Sequence, residues 1–408
     1  MEEKKLKDIC EFIVDCPHST AKDEGSGYPL IRTPNVGKGR LILQGVHRVN
    51  EQVYKTRNER ATPSTGDIIL AREAPVGNAA IIMPGQKVCL GQRVVLFRVK
   101  KEIANPMFLV YYLLSNEVQH KLKNNANGAV VAHLNMDEIR NLAITLPRID
   151  IQNKIAAILS SIDDKIEVSR RINDNLEQQA QALFKSWFVD FEPFKNGEFV
   201  ESELGMIPKG WRVCRADEVF EINIGKTPPR KESEWFTESK EDNVWVSIAD
   251  MGSSGVFISD SSEYLTDEAI KRFNVLMVEK DSVLLSFKLT VGRVAIADTR
   301  LTTNEAIARF ILPDKCYREF LYLYLKQYKY ENLGSTSSIA TAVNSKTIKG
   351  MKLIVPPTDT IESFSNNTRP LFEQIRSLQQ ESRRLAELRD TLLPKLMSGE
   401  IKVGDVTL

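Results

Sequence analysis

The chain has 408 residues, of which 42% are hydrophobic and 27% are charged. This length and composition predict two to four domains with sizeable cores and exclude a disordered chain. The 55 lysine and arginine residues balance 54 aspartate and glutamate residues, for a net charge of +1. Such a balance excludes a polycation that coats nucleic acid, but it leaves room for local basic patches.

The cysteines and the hydropathy of the chain bear on its compartment. The five cysteines, Cys10, Cys16, Cys89, Cys214 and Cys316, are scattered and form no Cys-x-x-Cys pair. They are typical of reduced thiols in a cytosol. No apolar run approaches the roughly 18–20 residues that span a bilayer, and the charged start lacks the apolar stretch of a signal peptide. We therefore expect a cytoplasmic protein.

Residues 1–147 are predicted to form a first domain that mixes helices and strands. Short β-branched runs bounded by glycine and proline, such as residues 68–70 and 80–82, favour strands. The longer apolar run over residues 108–114 favours a buried helix. The pattern is therefore that of an α+β domain.

A seven-residue apolar repeat then runs through residues 148–190. The positions that recur are Ile155, Ile162, Ser169, Leu176 and Leu183. Companion positions four residues further on complete an a/d seam, while charged and amide side chains fill the other faces. The pattern predicts a long amphipathic helix, followed over residues 191–207 by a linker that carries turn residues.

The second half of the chain repeats the first. Residues 344–356 match residues 135–147 in their apolar positions and final proline, at a separation of 209 residues. Such a repeat predicts a second mixed domain over residues 208–356, a second helix over 357–400 and a short tail over 401–408. The heptad positions of the second helix are Phe364, Leu371, Leu378, Leu385 and Leu392.

The two helices are expected to pair with each other. A helix of about 38 residues measures roughly 57 Å at 1.5 Å per residue, which is too long for one small domain to cover its apolar stripe. Antiparallel pairing would place the two domains at opposite ends of a rod, as in dimeric readers of DNA half-sites about 34–36 Å apart. The alternative, in which each helix lies on its own domain without pairing, stays open.

The motifs for catalysis are incomplete. Gly225-Lys226-Thr227 matches the end of a phosphate-binding loop, but Phe220 stands where the first glycine of that loop is required. The Pro-Pro pairs lack the flanking residues of an amino-methyltransferase motif, and a nuclease-like spacing of acidic residues and lysine arises by chance in so charged a chain. The four histidines show no zinc-binding spacing. We therefore predict no catalytic and no metal-ligating residue.

The candidate DNA-binding residues stand in loops that follow predicted strands. Duplex DNA is contacted at its bases and phosphates mainly by arginine, lysine, amide and hydroxyl side chains. In the first domain these are Arg32, Thr33, Asn35, Lys38, Arg40, Arg72, Gln92, Arg93 and Asn127. In the second domain they are Lys226, Thr227, Arg230, Lys231, Ser247, Lys288, Arg293 and Asn304. At positions where the two halves of the chain align, the residue types differ, as expected of two domains that read different half-sites. Solvent-exposed loop residues also vary in this way without any role in binding.

One segment has a specific family resemblance. Residues 176–194 read LEQQAQALFKSWFVDFEPF and resemble the specificity subunits of type I restriction-modification enzymes. Residues 207–211 resemble the entry to the second target-recognition domain of that family, and residues 388–401 resemble the end of its second spacer helix. The resemblance spans the whole chain.

The resemblance implies a fold and a function. The fold is α+β, with two target-recognition domains separated by two long antiparallel helices that form a coiled coil. Each domain would read one half of a bipartite DNA site, while the helices set the spacing and dock two modification subunits. S-adenosylmethionine would be bound by those subunits, and ATP and Mg²⁺ by restriction subunits. This chain would itself be a non-catalytic part of a DNA adenine methyltransferase and endonuclease complex, without a bound cofactor.

Two other functions are compatible with the residue patterns. The domains could bind proteins, which would make the chain a two-headed adaptor without DNA specificity. Alternatively, the chain could be a self-contained methyltransferase or nuclease. DNA affinity that falls with salt distinguishes a DNA reader from an adaptor, because phosphate contacts release counterions. Turnover by the purified chain alone would identify an enzyme.

Overall fold

A computed structural model of the chain describes residues 2–73, 75–124, 133–333 and 343–406. The chain forms two compact units, and each of them contains part of both long helices. The first unit comprises Met1–Ile166 together with Arg383–Leu408, and the second comprises Glu167–Ser382. No described helix has the length and apolarity required to cross a membrane.

The first unit combines short strands with helices along the chain. Its strands are β1 (Glu2–Lys5), β2 (Cys10–Asp15), β3 (Tyr28–Ile31), β4 (Gly39–Arg40), β5 (Arg48–Val49), β6 (Ile68–Ala71), β7 (Ala79–Ile81), β8 (Cys89–Leu90), β9 (Val94–Val99) and β10 (Ala143–Leu146). Its helices are α1 (Leu6–Ile9), α2 (Glu51–Arg57), α3 (Pro106–Leu114), α4 (Asn116–Asn124), α5 (Met136–Arg140) and the start of α6 (Ile149–Phe188), with 3-10 turns at Thr33–Asn35 and Val403–Asp405.

A five-stranded sheet in the order β2-β9-β6-β7-β4 is the centre of the first unit. Its strands alternate between two cores, as the period of two residues in a strand requires. In β6, for example, Ile68 and Leu70 face the core that contains α3 and α6, while Ile69 and Ala71 face a second core. A smaller sheet lies beside it, in which β3 pairs with β5 and, in parallel, with β8.

The second unit repeats this arrangement with a few additions. Its strands are β11 (Phe199–Ser202), β12 (Gly205–Pro208), β13 (Arg212–Arg215), β14 (Glu221–Ile224), β15 (Phe236–Thr237), β16 (Asn243–Val246), β17 (Phe257–Ile258), β18 (Tyr264–Leu265), β19 (Val283–Ser286), β20 (Val294–Ala297), β21 (Thr302–Thr303), β22 (Ile307–Ile311) and β23 (Lys352–Val355). Its helices are α7 (Ala216–Val219), α8 (Ile248–Ser253), α9 (Asp267–Arg272), α10 (Tyr317–Gln327), α11 (Ser345–Lys349) and the first part of α12 (Thr358–Ser398), with 3-10 turns at Glu192–Phe194, Ser233–Trp235 and Tyr330–Leu333.

The sheet topologies confirm the internal repeat. The order β14-β22-β19-β20-β17 in the second unit matches β2-β9-β6-β7-β4 in the first, strand for strand. Likewise, β16 pairs antiparallel with β18 and parallel with β21, as β3 does with β5 and β8. The hairpin β11–β12 and the short strand β15 have no counterpart among the described residues of the first unit. The predicted α+β class is therefore confirmed.

The long helices pack on each other within each unit. In the first unit, Leu159 and Ile162 of α6 share a core with Leu392 near the end of α12. In the second unit, Phe184 near the end of α6 shares a core with Phe364 near the start of α12. The start of each helix thus meets the end of the other, which confirms the antiparallel pair.

The predicted seam residues contribute to these cores to different extents. Ile155, Ile162, Leu176, Phe364 and Leu392 are buried, while Leu183, Leu371, Leu378 and Leu385 are half-buried and pack against the cores. The same cores contain strands and short helices of the two units. The helices therefore pair and also cover the units, so the alternative of unpaired helices is excluded.

Candidate nucleic-acid interface

Strand register brings several loops of the first unit to one edge of its main sheet. Leu70 of β6 lies opposite both Val95 of β9 and Ala79 of β7, so the end of β6 and the starts of β7 and β9 share that edge. The backbone N–H of Arg72 donates to the carbonyl of Arg93 at 2.9 Å just beyond it. Two predicted DNA-binding residues that are distant in sequence are therefore adjacent.

The loop after β3 joins the same edge. The N–H of Gly91 donates to the Ile31 carbonyl at 2.7 Å, and Asn78 Nδ2 donates to the Val36 carbonyl at 2.9 Å. A Cβ at Gly91 would lie 2.6 Å from the Ile31 oxygen and from Cγ of Arg32, so glycine permits this close approach. The turn at residues 33–35 is thereby held beside the loop that carries Gln92 and Arg93.

Arg72 lies inside the unit rather than on its surface. It is 5% exposed and donates to the Leu134 carbonyl at 2.9 Å and to Asp15 at 2.7 Å. A third contact joins it to His133 Nε2 at 2.8 Å, and His133 in turn contacts Glu73 at 2.9 Å. Arg72 was predicted to contact DNA. In the structure its guanidinium group instead has three protein partners and little exposed surface.

Three further predicted DNA-binding residues already contact other residues of the first unit, two through hydrogen bonds and one through an ion pair. Asn35 is buried, and its side chain accepts from the Arg32 N–H at 3.1 Å and donates to the Ile42 carbonyl at 3.3 Å. Gln92 is half-buried and donates to the His18 carbonyl at 3.1 Å. Arg93 is exposed, although its Nε forms an ion pair with Glu73 at 2.9 Å.

The remaining predicted residues of the first unit differ in accessibility. Thr33 is buried, and Arg32 is half-buried. Lys38 is exposed and lines a cavity of about 460 Å³ beside Asn78, and Arg40 forms an ion pair with Asp164 of α6. Asn127 lies outside the described residues.

The second unit presents the equivalent edge through equivalent bonds. Ser286 lies opposite Ile307 at the ends of β19 and β22, and the Phe287 N–H donates to the Ala306 carbonyl at 2.9 Å. This bond is the counterpart of the one from Arg72 to Arg93. The N–H of Asn304 donates to the Val246 carbonyl at 3.0 Å, as Gly91 does to Ile31 in the first unit. The backbone of the edge is therefore repeated, and its side chains are not.

The polar residues of this second edge are held by local bonds. Ser247 caps α8, and its N–H donates to Asp250 Oδ2 at 2.8 Å, in the same way that Arg32 donates to Asn35. Arg293 donates to the Ile248 carbonyl at 2.6 Å, and half-buried Asn304 accepts from the Ala306 N–H at 3.0 Å. The structure thus brings three predicted residues of the second domain together.

The basic residues after β14 are partly paired with acids. Arg230 is exposed and donates to both carboxylate oxygens of Glu263, at 2.8 and 2.9 Å, with its guanidinium 4.6 Å from the Trp245 ring. The Thr227 hydroxyl donates to Glu305. The side chains of Lys226, Lys231 and Lys288 are exposed. Solvated lysines near a sheet edge can contact phosphates without breaking internal bonds.

Glycine at position 225 has a structural reason. A Cβ there would overlap the carbonyl oxygens of Thr303 and Asn304. We expect Gly225→Ala to lower the free energy of unfolding by about 1–3 kcal/mol, since backbone atoms cannot move aside cheaply. Urea unfolding followed by circular dichroism would measure this. Gly404→Ala is the control, because a Cβ there would meet no atom within 4 Å, and an equal loss in both variants would contradict the explanation.

The sequence reasoning did not identify the acidic partners at these edges. Asp15, Glu73, Glu263 and Glu305 pair with residues that had been selected for their positive charge or hydroxyl. One signal was available, since Ser247 and Asp250 have the Ser-x-x-Asp spacing of a helix N-terminus. In the described part of the chain, no group of three or more His, Cys, Asp or Glu side chains is arranged to hold a metal ion.

Comparisons with known proteins identify the family. The family model for the type I restriction modification DNA specificity domain matches residues 1–178 and 208–367. The MjaIX specificity subunit of Methanocaldococcus jannaschii is 30% identical, with 99% of this chain and 94% of that protein covered. The HindI specificity subunit of Haemophilus influenzae is 28% identical, over 73% of this chain and 78% of that protein.

A solved structure shares the fold. The type I restriction-modification S subunit from M. genitalium superposes with a TM-score of 0.55 at 14% identity, and the match covers 97% of this chain and 95% of that one. Two matched specificity domains and a relative similar over almost the full length lead to one conclusion: the chain belongs to the family of type I restriction-modification DNA specificity subunits.

Proposed function

We propose that each specificity domain reads one half of a bipartite DNA site. This proposal is supported by the sheet edge that the two units share. The same backbone hydrogen bonds form that edge in both units, but the side chains on it differ. Arg32 and Arg93 in the first unit stand where Ser247 and Ala306 stand in the second. Different donors and acceptors on one frame are what two unlike half-sites require, because bases are distinguished by their hydrogen-bonding patterns in the major groove.

The paired helices would set the distance between the half-sites and dock two modification subunits. Neighbouring exposed apolar side chains support docking on the second unit, since clustered apolar side chains at a surface favour contact with a partner protein. Val168 and Ile172 are one turn apart on α6, and Leu204 and Met206 lie on the hairpin β11–β12.

The chemistry would belong to the partner subunits. We infer that modification subunits bind S-adenosylmethionine and methylate adenine, while restriction subunits use ATP and Mg²⁺. In that complex, which would act in the cytoplasm, this chain supplies DNA contacts and no catalytic residue. The purified chain, given DNA with S-adenosylmethionine or Mg²⁺, is therefore expected to show no turnover.

Methylation mapping tests the proposed function directly. The chain would be co-expressed with a cognate modification subunit, and single-molecule sequencing of the host DNA would locate methylated bases. We expect a bipartite motif that disappears when this chain is omitted. A complex that assembles but leaves the DNA unmethylated would instead favour a two-headed protein adaptor.

Exchanging one domain should change one half of the motif. If residues 1–147 are replaced by the first domain of another family member, we expect a new sequence in one half and the original sequence in the other. The reciprocal exchange of residues 208–356 should change only the second half. A change in both halves after either exchange would contradict independent reading.

A further inference from the structure

The loop between β19 and β20 carries an unusual leucine. Leu289 is 98% exposed, whereas Met206, the next most exposed large hydrophobic residue that the structure describes, is 55% exposed. Its φ is +59°, in the left-handed region that residues with a Cβ rarely occupy. A single exposed leucine is ordinary on a protein surface. A leucine side chain that is almost completely exposed and also has an unfavourable backbone conformation is not.

The base of the loop is rigid, so its tip is held in place. Ser286 is buried, and its hydroxyl donates to the Thr290 carbonyl at 2.6 Å and accepts from the Arg293 N–H at 3.0 Å. The Gly292 N–H donates to the Ser286 carbonyl at 3.0 Å. On the other flank of the tip, Phe287 is buried in the core of the unit. The neighbouring bonds thus hold Leu289 away from that core.

The charged residues of the loop itself favour a polyanion as its partner. Residues 286–293 include Lys288 and Arg293 and contain no aspartate or glutamate. Lys288 is exposed beside Leu289. The loop also leaves the sheet at the edge where Asn304 and Ser247 lie, since Ser286 is opposite Ile307 in the strand register.

We propose that Leu289 inserts between two base pairs of the half-site bound by the second specificity domain, with Lys288 against the adjacent phosphate. The proposal rests on the proposed function, because it requires that this edge faces DNA. Apolar side chains that enter between base steps partly unstack them and kink the duplex. The sequence of the half-site would then also be recognised through the free energy needed to unstack one of its base-pair steps. This free energy depends on the base sequence and requires no hydrogen bond from the protein.

The sequence of the first domain has a shorter side chain at the corresponding position, which lies outside the described residues. Alignment of Val76-Gly77 with Val291-Gly292 places Ala74 where Leu289 stands. A methyl group is too short to separate stacked bases. We therefore expect unstacking in the second half-site only, which supplies an internal control.

Base fluorescence tests the wedge. The probe is a duplex of the mapped motif, with 2-aminopurine in place of each adenine in turn except the methylated one. It is mixed with the full chain in complex with its modification subunit, without S-adenosylmethionine. We expect fluorescence to rise at one step of the second half-site and to stay constant in the first.

Leu289→Gly removes the side chain and suits the positive φ, so the variant is expected to fold. We expect it to abolish the fluorescence rise and to weaken DNA binding by about tenfold or more, since leucine burial is lost. Leu289→Met should retain both effects of the wild type. Lys288→Ala should keep the fluorescence rise and reduce the salt dependence of binding by about one phosphate contact. Leu276→Ala, at another exposed leucine of the unit, is the control without effect.

Three results would overturn the wedge. Unchanged fluorescence and affinity in Leu289→Gly would show that the side chain stays outside the stack. Weaker assembly with the modification subunit, with unchanged fluorescence, would show that Leu289 contacts protein instead. Failure of the wild-type complex to prefer the mapped motif over random duplex would refute the proposed function, and the wedge with it.

Discussion

Replacing Phe364 by alanine is expected to lower the free energy of unfolding of the second unit by about 3–5 kcal/mol. Phe364 is fully buried at the start of α12. Its ring centroid lies 4.7 Å from that of Phe188, 5.7 Å from that of Trp187 and 6.1 Å from that of Phe184, all on α6. Truncation would remove the aromatic contacts that join the two helices in this unit and leave a cavity.

Tryptophan fluorescence in urea would measure this effect selectively. The four tryptophans, Trp187, Trp211, Trp235 and Trp245, all lie within residues 167–382, so their emission reports the second unit. Leu276→Ala is the control, because Leu276 is an exposed residue of the second unit and its loss should change stability by less than about 0.5 kcal/mol. A Phe364→Ala effect as small as the control would contradict the packing role.

Removing Arg318 is expected to destabilise the second unit to a similar extent. Arg318 donates to Glu319 at 2.6 Å and to both Asp281 and Glu373 at 2.7 Å. Burial alone would raise the pKa of Asp281, but hydrogen bonds from Arg376 and Arg318 hold that pKa below its ordinary 3.8. Glu319 is fully buried. Arg318→Met would strand this carboxylate, at a cost of about 3–5 kcal/mol.

A second substitution distinguishes a stranded charge from lost packing. In Arg318→Met/Glu319→Leu both charges are gone, and we expect most of the stability to return, since apolar replacement of a buried ion pair is often neutral. Arg215→Met is the control, because Arg215 donates to both carboxylate oxygens of Asp217 on the surface, and its loss should cost at most about 1 kcal/mol. No recovery in the double variant would contradict this explanation.

The long-range organisation was predictable because its signals are local. The heptad stripes predict helices over residues 148–190 and 357–400, and the structure has them over Ile149–Phe188 and Thr358–Ser398. The helix predicted at 108–114 is α3. Pairing and packing against the sheet domains were treated as alternatives, and their combination was not predicted, since a heptad pattern shows that a stripe is apolar and not what covers it.

The candidate site was predictable only in part. Loop position and residue type selected Arg93 and Arg72 alike, yet one is exposed and the other is 5% exposed. The difference comes from Asp15, which strand register places beside Arg72 although it is 57 residues away in the chain. Conversely, Leu289 was not selected as a candidate DNA-binding residue although its neighbour Lys288 was. Apolar residues in a short run are ordinarily assigned to a core, and this one is exposed.

The division of the units has a consequence for synthesis on the ribosome. The first unit is completed by Arg383–Leu408, whereas the second unit is contiguous from residue 167 to 382. Leu159 and Ile162 therefore lack Leu392 and Leu396 while the intervening residues are translated, which takes on the order of 10–40 s at roughly 5–20 residues per second. The first unit is therefore synthesised first but completes its core last. A nascent chain that ends before residue 383 would expose the apolar face of α6, which favours aggregation and chaperone binding.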